Sequence, residues 1–154
     1  RILFSFFGLI TFLAGIFVMG YAMNCFGWIR AIANGVTSLT GSNTFLAYTI
    51  LTWFSVVISA FVDNIPYMAL MLPVTQALAS SVGGEMFLYG AGLQIGGCLG
   101  GNCTPIGASC NVVAVGILRR MGHHVSFWQF ARMGVPLTIV ATLAGYIFIW
   151  IFWG

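Results

Sequence analysis

The stretch GGCLGGNCTPIGASCN, residues 96–111, sets ten polar or helix-disfavouring positions in an otherwise apolar run, and it decides how this chain folds. One straight helix over residues 86–118 would measure about 50 Å, well beyond a hydrocarbon core of about 30 Å. An interruption is therefore expected. Gly90, Gly92, Gly96, Gly97, Gly100, Gly101 and Gly107 crowd this window, with Asn102, Thr104 and Pro105 at its centre. Glycine and proline both disfavour continuous helix, so two half-helices joined by an unwound segment at residues 100–105 are predicted. Within the first half, Gly92, Gly96 and Gly100 recur at every fourth position, a small-residue stripe that lets another helix backbone approach closely.

Upstream lies a second polar point. An apolar run over residues 45–62 stops at Asp63, Asn64 and Pro66, and residues 67–79 are apolar again apart from Thr75 and Gln76. Pro66 suits the first turn of a helix, and Asp63 or Asn64 can accept the unpaired N–H groups there. The second arm, residues 65–80, would be about 24 Å long, short for a full crossing, so residues 45–80 are expected to form a re-entrant hairpin. Ser42 or Asn43 is the expected cap of its first arm. Residues 2–23 are long and apolar enough for a first span, and residues 134–153 for a last one. Between them, residues 24–44 read as a short interfacial helix with a loop, and residues 127–133 as an amphipathic piece before the last span.

Composition agrees. The chain has 154 residues, of which 60% are hydrophobic and 5% charged, with a mean hydropathy of +1.05. Five basic and two acidic residues cannot cover a water-facing surface. An all-α, polytopic membrane protein with one transmembrane domain over residues 1–154 is predicted, placed as a multi-pass protein in the cell membrane. Only Arg119 and Arg120 are adjacent among the basic residues, which offers no basic face for nucleic acid. An inside start sets Arg1, Arg119, Arg120 and Arg132 on the cytoplasmic face and Arg30 with Glu85 outside. Arg1 in place of Met reads as an internal start. Cys25, Cys98, Cys103 and Cys110 show no metal-ligand spacing and are expected to pack as small apolar groups. His123 and His124 have no third ligand nearby and are expected to anchor at the interface. No metal site and no organic cofactor are expected.

Asp63 is the acidic residue flanked on both sides by apolar sequence. Such a charge costs roughly 2.5 to 3.5 kcal/mol at a helix centre on insertion scales, so it should face a cavity or a partner. Unwound backbone in a bilayer is tolerated where protein or a water-filled cavity satisfies it, and helix ends at such breaks bind ions and solutes. Asp63, Asn102, Thr104, Ser109 and Asn111 are therefore candidate ion- or substrate-binding residues.

The pair VDNIPYMALMLP (residues 62–73) and GGNCTPIGASCN (residues 100–111) resembles the ion transporter superfamily: the arsenite and sodium/proton antiporter permeases, with citrate and dicarboxylate carriers as more distant relatives. The resemblance covers essentially the whole chain and implies the C-terminal of two inverted repeats, each with a re-entrant hairpin and a broken helix. It implies that Asp63 and Asn64 form the hairpin tip, that Gly101, Asn102 and Thr104 lie in the unwound part of the broken helix, and that together they surround a cation or substrate, which adds Asn64 and Gly101 to the candidate ion- or substrate-binding residues. Two departures from the family pattern are Cys103 and Pro105, where a small and an aliphatic residue are expected. Asp63 replaces a neutral Ser of the dicarboxylate carriers, and its negative charge suits a cation or proton.

The expected function is secondary active transport of an ion or a small anionic or neutral solute, coupled to H+ or Na+, with no covalent chemistry. The expected partners are the lipid bilayer, an N-terminal repeat and the solute, and a homodimer stays open. Two alternatives differ in class. One is an intramembrane enzyme using Asp63, although an aspartyl mechanism takes two carboxylates. The other is a structural or channel-forming bundle, which continuous helix through residues 100–105 would favour.

Overall fold

The computed structural model describes residues 2–41 and 43–154. Arg1 and Ser42, one expected on the cytoplasmic face and the other as a helix cap, lie outside the described residues. Every regular element among the described residues is helical: α1 (Ile2–Cys25), α2 (Trp28–Thr40), α3 (Thr44–Ser59), α4 (Asn64–Val82), α5 (Met86–Gly100), a 3-10 turn (Gly101–Cys103), α6 (Ser109–Arg120) and α7 (Phe127–Trp153). Of these, α4 and α7 are each long and apolar enough to cross a bilayer.

Local chemistry sets the ends. Asn43 caps α3 by accepting the N–H groups of Phe45 and Leu46 at 3.1 and 3.4 Å. Ser126 and Gln129 close a reciprocal capping box on α7. The amphipathic piece at residues 127–133 is not separate from the last span: α7 runs unbroken through it and through Pro136. Gly122, at φ 87°, ends α6, with its N–H bonded to the Arg119 carbonyl at 3.2 Å and the His123 N–H to that of Leu118 at 2.9 Å. Those two bonds form a Schellman turn, which needs a left-handed residue.

The core lies where α3, α4 and α5 meet, with α2 and α7 packed around them. Its largest fully buried side chains include Tyr48, Tyr89, Leu78, Leu88 and Leu93. The glycine stripe has a definite partner. A Cβ on Gly92 would meet Tyr48 and Thr52, one on Gly96 would meet Thr52 and Ser55, and one on Gly100 would meet the backbone of Val56. Since these contacts climb both helices together, α3 and α5 run parallel, with both C-termini at one level. Helix α7 runs the opposite way along α5: Gly134 abuts Asn102, Thr138 donates to the Leu99 carbonyl at 3.2 Å, and Gly145 abuts Ile95. At its far end Tyr146 stacks on Tyr48 with ring centroids 4.8 Å apart, and Trp150 packs on Phe45 at 4.7 Å.

The cysteine expectation needs correction. Cys103 is buried, whereas Cys25, Cys98 and Cys110 are exposed on the outside of the helices. Helices in lipid associate by close packing and hydrogen bonds instead of by hiding apolar surface, so small side chains are not driven inward.

Candidate functional site

Two of the places where the chain leaves α-helix, between α3 and α4 and between α5 and α6, are set side by side by the parallel packing of α3 on α5. Residues 60–63 turn the chain between α3 and α4, and Gly101–Cys103 with residues 104–108 form the break. Direct hydrogen bonds join them. The Thr104 hydroxyl donates to the Ala60 carbonyl and accepts from the Gly107 N–H at 3.0 Å. The Ser109 hydroxyl donates to the Asp63 carboxylate. On the other side, Ser59 Oγ donates to the Gly97 carbonyl and lies 2.7 Å from Asn64 Oδ1. One hydroxyl hydrogen cannot serve two acceptors, so the Asn64 amide is best turned to donate to Ser59.

The break is also tied to itself. The Asn111 amide donates to the Gly101 carbonyl at 2.9 Å and to the Thr104 carbonyl at 3.1 Å, which satisfies two groups that the lost helix would leave open. Two glycines let the backbones come this close. A Cβ on Gly101 would stand 2.8 Å from Asn64 Oδ1, and one on Gly107 would stand 2.7 Å from the carbonyl oxygens of both Ala60 and Gly101.

Asp63 does not play the capping role expected of it. It occupies the position before α4, yet neither it nor Asn64 accepts an N–H group of that helix through its side chain. The carboxylate turns instead toward Ser109, in the first turn of α6, whose own leading residue Ala108 has no capping side chain. An anion beside the N-terminus of a helix is favoured by the dipole. Asp63 therefore holds tip and break together through a bond that depends on its charge.

Of the seven candidates, Asp63, Asn64, Gly101, Thr104, Ser109 and Asn111 meet at this junction. Asn102 does not. It is exposed on the α7 side of the break, where it lines a cavity of about 310 Å³ with Phe130, Met133, Gly134 and Leu137. Four residues of the junction were not among the candidates: Ser59, Ala60, Gly97 and Gly107. Gly107 carried a sequence signal as part of the glycine cluster; Ser59 carried none. The hydroxyl-rich face below the junction continues down α3, where Tyr67 donates to Ser55 at 2.8 Å and Ser55 donates to the Leu51 carbonyl at 2.6 Å. Glu85, the other acidic residue, precedes α5, far along that helix from the break. Among the described residues, no group of three or more His, Cys, Asp or Glu side chains converges as metal ligands.

A protein described as an uncharacterized transporter from Mycobacterium tuberculosis is 38% identical over 144 residues, 92% of this chain and 34% of the relative. The 46 kDa membrane protein of Mycobacterium leprae is 34% identical over 145 residues, 92% of this chain and 34% of the relative. The P protein of Homo sapiens is 41% identical over 103 residues, 64% of this chain and 12% of the relative. The chain thus spans about a third of the length of the curated mycobacterial relatives it matches. No solved structure matches it significantly. The citrate transporter family model (CitMHS) matches residues 7–91, from α1 through the hairpin tip into α5. As that match takes in more than half of its residues, this helical membrane chain belongs to the citrate transporter family.

Proposed function

We propose that this chain is the site-bearing part of a secondary active transporter in the cell membrane, moving an ion or a small anionic or neutral solute in exchange or together with H+ or Na+. The observation that carries the proposal is the hydrogen-bonded junction of two helix interruptions around a single carboxylate. Backbone that leaves helix at membrane depth persists where protein or a water-filled cavity satisfies it. Here Ser59, Thr104 and Ser109 tie the α3–α4 turn to the broken helix, Asn111 ties the break to itself, and Asp63 adds a charge that packing alone does not call for.

In this proposal Asp63 takes up and releases the coupling ion. As an anion it accepts a charge-assisted bond from Ser109, and such bonds are roughly twice as strong as neutral ones. Neutralisation by a proton or Na+ weakens that tie and frees the tip to move against α6. The same charge accounts for coupling. A second anion about 4 Å away is opposed by about 4 kcal/mol at an effective dielectric of 20, so a carboxylate solute binds once the cation is in place. Asn64, Gly101, Thr104 and Asn111 keep the junction in register, and Asn102 offers an amide on the α7 side. The family name points to citrate as the first solute to try; arsenite and sodium follow from the resemblance of the two motifs.

The test is flux in vesicles holding the full-length protein, under an imposed H+ or Na+ gradient, with citrate, arsenite and sodium in turn. Asp63→Asn keeps the acceptor geometry and removes the charge, and gradient-driven flux should fall at least tenfold while the protein still folds. Unchanged coupled flux would remove Asp63 from the mechanism.

A further inference from the structure

We infer that the far end of α6 carries a binding site for one anionic phospholipid, with its phosphate at Arg119 and His124. A cavity of about 400 Å³ opens beside the break and runs along α6 to the turn that follows it. Its floor is apolar, formed by Ile106, Val112, Val115 and Val125, and Arg119 and His124 stand at its rim. The Schellman turn at Gly122 makes this site. By reversing the chain after Arg120 it brings His124 and Val125 back over the helix that carries Arg119.

The gradient of polarity along the cavity fits a lipid. Ser109 to Arg119 is ten residues, a rise of about 15 Å, which is half of a hydrocarbon core of about 30 Å. Along the cavity Val112 and Val115 come before Arg119, so acyl chains would pack on the former and the phosphate would sit at the latter. Charge complementarity selects the headgroup. The chain has two acidic residues, Asp63 at the tip and Glu85 before α5, and neither lines this cavity. Helix α6 buries none of its residues against the rest of the described chain, and its apolar side chains line the cavity. A guanidinium binds phosphate oxygens in a bidentate manner, and an imidazole N–H adds a donor.

Arg120 supplies an internal control, since it is adjacent and equally charged but does not line the cavity. The experiment is native mass spectrometry of the full-length protein in detergent, titrated with phosphatidylglycerol or phosphatidylcholine. One phosphatidylglycerol should be retained in preference to phosphatidylcholine. Arg119→Gln should weaken it about fivefold, as expected for one basic side chain near a lipid surface, and His124→Gln should weaken it as well. Arg120→Gln should change retention less than twofold, and Arg119→Lys, which keeps the charge but loses the two-pronged contact, should fall between Arg119→Gln and the unmodified protein. Equal losses in Arg119→Gln and Arg120→Gln would mean diffuse attraction and overturn the site. Absence of a retained lipid in the unmodified protein, or complete displacement by excess inorganic phosphate, would overturn it too, the latter by making the free anion the ligand. Unfolding midpoints of all four variants, measured alongside, separate lost binding from lost structure.

Discussion

Ser59 and Thr104 hold the tip on the break, and each is buried with its hydroxyl committed to a carbonyl on the other side. Removing the hydroxyl leaves partners stranded, which costs about 1 to 3 kcal/mol for a buried unsatisfied group. Ser59→Ala strands the Gly97 carbonyl and the Asn64 amide; Thr104→Val, of nearly the same shape, strands the Ala60 carbonyl and the Gly107 N–H. Both should lower the unfolding midpoint in detergent. Ser109→Ala should behave differently, because Ser109 is exposed. Its loss costs little stability but removes the tie on Asp63, so the midpoint stays while coupled flux changes. Asp63 was legible in the sequence, since a carboxylate within apolar sequence calls for a partner. Ser59 was not. It follows Thr52 and Ser55 along α3, and those two hydroxyls bond their own helix four residues back, to Tyr48 and Leu51. Sequence does not tell a hydroxyl that folds back on its helix from one that reaches across to α5.

Among the elements, the break in the long apolar segment could be read in advance because length and glycine content point the same way. The partner of the glycine stripe could not, since small residues permit close approach by any helix. The structure identifies that partner as α3 and so turns a permissive feature into a specific requirement. Gly96→Ala would drive a methyl group into the Thr52 carbonyl and the Ser55 side chain, and Gly100→Ala into the backbone of Val56. Overpacking of this kind costs about 1 to 3 kcal/mol. Gly90, two residues before the stripe, has nothing within 4 Å of an added Cβ. Gly90→Ala should therefore be neutral or stabilising by up to about 1 kcal/mol, the helix preference of Ala over Gly. Unfolding midpoints of the three variants check this, and equal effects at Gly90 and Gly96 would deny the close contact of α3 with α5.

Charge counting places Arg119 and Arg120 opposite Glu85 whether the α3–α4 hairpin enters and returns or crosses twice, because both topologies give the same parity. Where the tip stops relative to Arg119 separates them. Helices α3 and α5 start together, at Thr44 and Gly84, where a Cβ on Gly84 would stand 3.0 Å from Thr44 Cγ2. They also end together at the junction. Arg119 lies a further ten residues of helix beyond Ser109, about 15 Å. A re-entrant hairpin, with α6 carrying the chain on past the tip, requires that the tip stop well short of the face that carries Arg119. Three single cysteines, introduced one at a time after Cys25, Cys98, Cys103 and Cys110 are replaced, test this with a maleimide that does not cross membranes. Glu85→Cys should react from outside and His123→Cys from the cytoplasm. Phe61→Cys sits at the tip, where Phe61 is 62% exposed in the chain, yet it should react at least tenfold more slowly than either from both sides. Reaction of Phe61→Cys from the cytoplasm as fast as His123→Cys would mean that the tip emerges into water, and the two helix interruptions could not then meet inside the bilayer.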